Sequence, residues 1–179
     1  MIKKTKDISC CPGVSQAIKK IENASKNRKI QTFGAVVNNL PNVDYLARKG
    51  IFAIDSLDDF KGDVLATSIR GLTPTMLQEI KNRKIFLLDV TCPIVRKNQK
   101  ILKKLVDDGF MIVFYGPPDN HGGKMLMGWA GDKSITTVNA CEVNKIHPIP
   151  QRLAIVSQTT KNQSDFTNFV EEVLRTSLS

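Results

Sequence analysis

The 179-residue chain has few of the side chains that most active sites and nucleic-acid surfaces are built from: two histidines, one tryptophan and two tyrosines. So few histidines leave little support for a Ser/His/Asp triad or a His-built metal site, and so few large aromatics do not make a base-stacking surface. No run of 18 apolar residues is present, so no membrane-crossing helix is expected. The opening MIKKTKDISCC is basic but lacks the apolar stretch of a secretory leader. There is no Cys-x-x-Cys pair and no low-complexity linker. The expected location is the cytosol. There the four cysteines are read as free thiols, redox groups or metal ligands rather than structural disulfides. With 41% apolar and 24% charged residues the chain is neither a disordered polyelectrolyte nor a disulfide-stapled miniprotein. Its length suits one domain or two small ones.

What is present is a positive charge of +9, unevenly placed. Residues 1–30 carry a net +6 and residues 81–104 a net +7, while the remainder is net negative. Each basic segment contains a cysteine motif. The pattern admits two readings: Lys-rich solvated helix faces, or a positive field that draws a small anion or an acidic protein toward the cysteines.

Short apolar runs alternate with helix-period segments. Strands are predicted at Lys29–Val37, Gly50–Ile54, Asp63–Thr67, Lys84–Val90, Phe110–Tyr115, Ser134–Val138 and Leu153–Ser157. Helices are predicted at Val14–Ser25, Val43–Lys49, Pro74–Asn82, Pro93–Asp107 and Ser164–Thr176. The alternation argues for an α/β fold with mainly parallel sheets, in two similar αβ lobes spanning 1–88 and 89–179.

Cys10 and Cys11 precede Pro12, Gly13 and the first helix; Cys92 follows an apolar strand and precedes Pro93. Proline suits the first turn of a helix. Both motifs therefore place a sulfur at a helix N-terminus, where backbone N–H groups favour a thiolate. Strand-to-helix loops gather at the carboxyl edge of a parallel sheet, so Cys11 and Cys92 are expected to face one cleft. The alternative is a pair of small buried core residues. Cys141 reads as an ordinary helix-start residue. His147 lies in His-Pro-Ile-Pro, a surface turn. His121 lies in the loop Gly116-Pro-Pro-Asp-Asn-His-Gly-Gly123, which lacks the Lys-Ser/Thr ending of a P-loop but allows close approach of an anion.

These motifs resemble one family, the LytB-type 4-hydroxy-3-methylbut-2-enyl diphosphate reductases, iron–sulfur enzymes of isoprenoid precursor synthesis. Ser9-Cys10-Cys11-Pro12-Gly13-Val14 is similar to the family's first cysteine motif, and Asp89-Val90-Thr91-Cys92-Pro93-Ile94-Val95 to its second. Ser157-Gln158-Thr159-Thr160 is similar to its Thr-Gln-Thr-Thr segment. The stretch from Val36 to Asn39, followed by Val43-Asp44-Tyr45-Leu46, also fits. The resemblance implies a [4Fe–4S] cluster with Cys11 and Cys92 as ligands, Cys10 being an alternative, in two of the family's three lobes. The lobe that carries the family's third cysteine is expected to be absent here.

The resemblance also marks departures. The family's three pocket histidines correspond to Asn38, Arg70 and Asn120, and its proton-delivering glutamate to Gly122. A one-residue shift would put His121 at the last histidine position without restoring the acid. Asn38, Arg70, Asn120, His121, Gln158, Thr159 and Thr160 remain candidates for binding a small anionic ligand. Arg70 offers a bidentate fork for phosphate, and the asparagines offer hydrogen-bond donors.

Three functional readings are open. In the first the chain binds a [4Fe–4S] cluster, with a symmetric homodimer supplying Cys11 and Cys92 twice, and serves electron transfer or redox sensing. In the second it is an active reductase with a companion chain supplying the missing lobe. In the third it is a cluster-free binding or regulatory protein. A ferredoxin or flavodoxin is the expected electron donor in the first two. Neither a membrane nor a nucleic acid is an expected partner.

Overall fold

The computed structural model describes residues 11–143, 145–146, 150–158 and 161–177. The chain divides into two compact units, Met1–Arg96 and Lys97–Ser179. The first holds α1 (Pro12–Ser25), β1 (Ile30–Phe33), α2 (Leu40–Arg48), β2 (Phe52–Ile54), a 3₁₀ turn at Leu57–Asp59, β3 (Val64–Ala66), α3 (Pro74–Asn82) and β4 (Leu87–Leu88). Helix α4 (Pro93–Asp107) starts in the first unit and runs into the second. The second continues with β5 (Met111–Tyr115), α5 (His121–Met127), β6 (Ser134–Thr137), α6 (Ala140–Val143), β7 (Leu153–Ser157) and α7 (Gln163–Ser177).

Both sheets are parallel throughout. Their strand orders are β2-β1-β3-β4 and β6-β5-β7. Each unit is a helix–sheet–helix sandwich. In the first, Ala17 and Ile21 of α1 and Leu46 of α2 pack with Ile30, Val64 and Ala66 on one face of the sheet. Ile80 of α3 and Leu57 pack with Ile54 and Leu65 on the other. In the second, Leu102 of α4 and Met127 of α5 cover Ile112, Phe114, Ala154 and Val156. Phe169 and Val173 of α7, with Ala140 and Val143 of α6, cover Val113, Tyr115, Leu153 and Ile155. Neighbouring strand residues serve opposite cores because side chains alternate across a sheet. With both faces covered, β3 (Val-Leu-Ala) and β5 (Met-Ile-Val-Phe-Tyr) read as apolar runs instead of alternating ones, while β1 and β6 carry polar residues.

The two units repeat one topology. Helix, strand, helix, strand, short helical turn or helix, strand and helix occur in that order in each, and only the first has a further described strand, β4.

Several boundaries differ from the sequence-based expectation. β1 stops at Phe33, not Val37, because Gly34 takes a left-handed φ of 67° and turns the chain off the sheet. α2 starts at Leu40 because Asn39 caps it, its side-chain oxygen accepting from Asn42 N–H at 3.3 Å. The loop after β5 ends at Asn120, and His121 begins α5.

Candidate functional site

Cys11 is the residue before α1. Its carbonyl accepts from Val14 N–H at 3.0 Å and Ser15 N–H at 3.1 Å, and its thiol is exposed. Pro12 fills the first helical position, where a missing N–H costs nothing. Cys92 stands in the same relation to α4: its carbonyl accepts from Arg96 N–H at 2.9 Å and Pro93 is the next residue. Cys92 is half-buried.

The two motifs adjoin within the first unit. A Cβ placed on Gly13 would lie 3.1 Å from Cys92 Sγ, tighter than ordinary van der Waals contact. The sulfur of the second motif therefore rests against the first turn of α1, two residues past Cys11. Glycine at position 13 leaves that space open.

Backbone bonds tie the loops at the carboxyl edge of the first sheet to this point. Ile69 N–H, after β3, donates to Val36 O, after β1, at 3.1 Å. Cys92 N–H, after β4, donates to Ile69 O at 2.9 Å. Asn38 and Arg70 sit two residues and one residue beyond these bonded positions, Asn38 exposed and Arg70 half-buried. Ser68 Oγ accepts from Arg70 N–H at 3.3 Å.

A brace holds the Cys92 turn. Asp89 Oδ1 accepts from Thr91 N–H at 2.9 Å and from Thr67 Oγ1 at 3.5 Å, and Asp89 Oδ2 lies 2.7 Å from Arg96 Nη2. Val90 N–H donates to buried Thr67 Oγ1 at 2.9 Å. Burial alone would raise the Asp89 carboxyl. Hydrogen bonds from Thr91 and the adjacent Arg96 guanidinium outweigh it and hold the group below its usual value. The sequence reading used Asp89 only as part of a motif and missed Thr67 and Arg96. The available signal was spacing: Asp89 and Arg96 flank Cys92 by three and four residues, close enough to meet across a strand-to-helix turn.

The remaining candidates belong to the second unit. Asn120 Oδ1 caps α5, accepting from Gly123 N–H at 3.1 Å, so its oxygen is committed to the helix. His121 is the first residue of α5, and its side chain lies outside the described residues. Gln158 N–H donates to Tyr115 O at 3.2 Å. Gln158 Oε1 is buried with no hydrogen-bond partner among the described residues, and a Cβ on Gly116 would lie 3.3 Å from it. Gln158 and Gly116 therefore adjoin where β7 and β5 end. Cys10, His147, Thr159 and Thr160 lie outside the described residues. Cys141 is exposed on α6.

The sequence model of the family described as "LytB protein" matches residues 2–178. The chain belongs to the LytB family. It is 33% identical over 169 residues to a 4-hydroxy-3-methylbut-2-enyl diphosphate reductase of Dehalococcoides mccartyi, a match covering 94% of this chain and 60% of that protein. It is 32% identical over 178 residues to the reductase of that name from Campylobacter fetus subsp. fetus, covering 97% and 62%. The solved E-1-hydroxy-2-methyl-but-2-enyl-4-diphosphate reductase of Plasmodium falciparum superposes with a TM-score of 0.85 at 25% identity, over 94% of this chain and 54% of that one. A second solved structure, of an (E)-4-hydroxy-3-methyl-but-2-enyl diphosphate reductase, gives 0.79 at 24% and shows the fold. The LytB chain thus spans about three fifths of the length of the curated relatives it matches. No helix among its described residues is long and apolar enough to cross a membrane.

LytB enzymes are iron–sulfur proteins, and the residues present can be tested against such a cluster. Thiolates are the right donors, and Cys92 Sγ lies against Gly13, two residues past Cys11, with Gly13 keeping that sulfur uncrowded. Among the described residues no group of three His, Cys, Asp or Glu side chains is placed to hold a metal ion. In kind, the pair fits a cluster. In number it supplies two of the ligands, and the others must come from outside the pair.

Proposed function

We propose that this chain is a LytB-type iron–sulfur protein in which Cys11 and Cys92 are two ligands of a [4Fe–4S] cluster with a redox or electron-transfer role. The observation that carries this reading is the contact between Gly13 and Cys92 Sγ, which brings the two cysteine motifs together. A cluster held there would supply single electrons. The chain's own residues would hold and orient it: two helix N-termini present the sulfurs, and the Asp89–Arg96 brace fixes the turn that carries one of them. Arg70, on the loop bonded to Cys92, and Asn38, on the loop bonded to Ile69, would offer a guanidinium and an amide to a small anion. At the position of the family's glutamate, Gly122 has no proton to give, so the chain alone is not expected to complete a reductive dehydroxylation, which needs a general acid.

The names of its relatives favour a second reading, an isoprenoid-pathway reductase in which residues beyond these 179 supply the rest of the site. One set of measurements bears on both. The protein is purified without oxygen, iron and sulfide are quantified per chain, and the visible spectrum and solution mass are recorded. The expected result is a brown protein whose iron is lost in Cys11→Ser and Cys92→Ser and kept in Cys141→Ser. About two irons per chain in a dimer, with the spectrum of a [4Fe–4S] and not of a [2Fe–2S] cluster, would mean a cluster bridging two copies. An iron-free protein that also resists reconstitution would overturn the cluster and leave a binding or regulatory protein.

A further inference from the structure

Helices α2, α3 and α4 end in the same backbone turn. After α2, Gly50 N–H donates to Ala47 O at 2.9 Å and Ile51 N–H to Leu46 O at 3.0 Å. After α4, Gly109 N–H donates to Val106 O at 3.0 Å and Phe110 N–H to Leu105 O at 2.9 Å. After α3, Lys84 N–H donates to Lys81 O at 3.0 Å and Ile85 N–H to Ile80 O at 3.1 Å. The turn needs a left-handed residue, and glycine fills it at Gly50 with φ 77° and at Gly109 with φ 84°. After α3 the φ of 55° falls on Lys84, which alone of the described non-glycine residues is left-handed. A side chain there strains the backbone. Lys81 and Arg83 already complement the dipole at the end of α3, so the helix has no need of a third cation. Lys84 is exposed and makes no ion pair among the described residues.

Lys84 stands where the chain enters β4, and the strand order sets the entrances of β1, β3 and β4 side by side. Lys29 N–H donates to Asp63 Oδ2 at 2.7 Å and Asp63 N–H to Lys29 O at 2.8 Å, joining the first two entrances. Leu65 N–H donates to Phe86 O at 2.9 Å, joining the second and third. Ile85 turns into the core, so Phe86, the next residue, turns outward and is 59% exposed. The Arg28 guanidinium lies 5.0 Å from the centre of its ring. At these entrances the exposed cations Arg28, Lys29, Lys61 and Lys84 are set against a single carboxylate, Asp63.

We propose that the amino edge of the first sheet is a docking site for an acidic surface of another protein, with Phe86 as its apolar anchor beside Arg28 and Lys84 as a cation held there against the preference of its backbone. An exposed aromatic next to an arginine is the composition of an interface hot spot, and the lysines around it supply a charged rim that selects and steers an acidic partner. A nucleic acid fits less well, because one aromatic with an arginine stacked on it is no platform for successive bases. The loops that carry Val36, Ile69 and Cys92 gather at the opposite, carboxyl edge of the same sheet. A partner bound at the amino edge leaves the cysteine motifs uncovered, and the docking site does not rest on the cluster reading.

The test titrates the full chain with a short fluorescent peptide of glutamates flanking a central leucine and, in parallel, with a single-stranded DNA oligonucleotide. Anisotropy gives the affinities, and NMR amide shifts locate the contact. The expected result is peptide binding that weakens as salt rises and shifts the amides of Lys29, Asp63, Lys84 and Phe86. Phe86→Ala should weaken it by about tenfold, the loss expected of an anchor. Lys84→Gly should weaken it by about threefold, as a rim charge does, while the thermal midpoint holds or rises because the left-handed residue is now glycine. Lys103→Gln, which removes a lysine paired with Asp107 on α4, should bind as the unaltered chain does. No binding, or equal losses in Lys103→Gln and Lys84→Gly, overturns the proposal, the latter in favour of diffuse attraction to a basic protein. Tighter binding of the oligonucleotide at the same amides overturns it in favour of a nucleic acid. A Lys84→Gly chain that binds the peptide fully and melts lower overturns the role of that lysine, which would then serve its own turn.

Discussion

Asp89 shows how much of the Cys92 turn is set by one side chain. Its carboxylate accepts from Thr91 N–H and faces Arg96, and with both side chains more than a third exposed, solvent screens that pair. Asp89→Asn should therefore cost about 1 kcal/mol near neutral pH, most of it from the weakened charge-assisted hydrogen bonds. The folded carboxyl lies below its usual value, so its contribution is present above the unfolded value of about 3.9 and fades as pH falls through the lower folded one. Urea melts of both proteins should differ at pH 6 and converge toward pH 2, and a gap independent of pH would rule the ionised brace out. Gly13 makes a different prediction. Gly13→Ala improves helix propensity by as much as about 1 kcal/mol but puts a methyl 3.1 Å from Cys92 Sγ. Iron per chain should fall while the thermal midpoint holds or rises. A variant with full iron would mean that the space beside that sulfur is not used.

Elements end where single side chains or single dihedrals end them. Asn39 caps α2 and Thr73 caps α3, each accepting from the N–H three residues on at 3.3 Å. Asn39→Ala and Thr73→Ala should each lower stability by about 1 kcal/mol, readable as a lower urea midpoint with an unchanged slope. Seven strands and five longer helices were legible in the sequence, the helices because their apolar residues recur at the helical period, and strands such as β3 and β5 because, covered on both faces, they form apolar runs. The short helix α5 was not, and of α6 only the start at Cys141 was, since seven and four residues hold too few turns to show a period. The overrun of β1 has the same root: Ala35, Val36 and Val37 are as apolar as a strand, but they lie on a loop that Gly34 has already turned, with Val36 and Val37 buried in the core. Of the site, the cysteines and their helix starts could be read from Pro12 and Pro93. The contact of Gly13 with Cys92 could not, because it joins residues 79 positions apart through loop-to-loop bonds at Val36, Ile69 and Cys92 that no local pattern encodes.

At the scale of the whole molecule the decisive element is α4, which belongs to both units. Its first turn comes directly after Cys92, whose backbone is fastened to the first unit through Ile69 O, while its buried face, Leu102 with Leu105 and Val106, packs with Ile112, Phe114 and Met127 in the second. The helix that carries the second cysteine at its head is thus anchored by a core in which neither cysteine takes part. Leu102 is 2% exposed, and Leu102→Ala should cost about 2–5 kcal/mol through lost burial and the cavity left behind. Helices this long depend on tertiary packing more than on propensity, so loosening that face should let the first turn of α4 open more often. The expected result is faster alkylation of the half-buried Cys92 thiol at temperatures well below the melting midpoint, with the already exposed Cys141 reacting at its original rate. An equal rise at both thiols would mean global unfolding, and no rise at Cys92 would mean that the bonds of its own turn hold it without help from the second core.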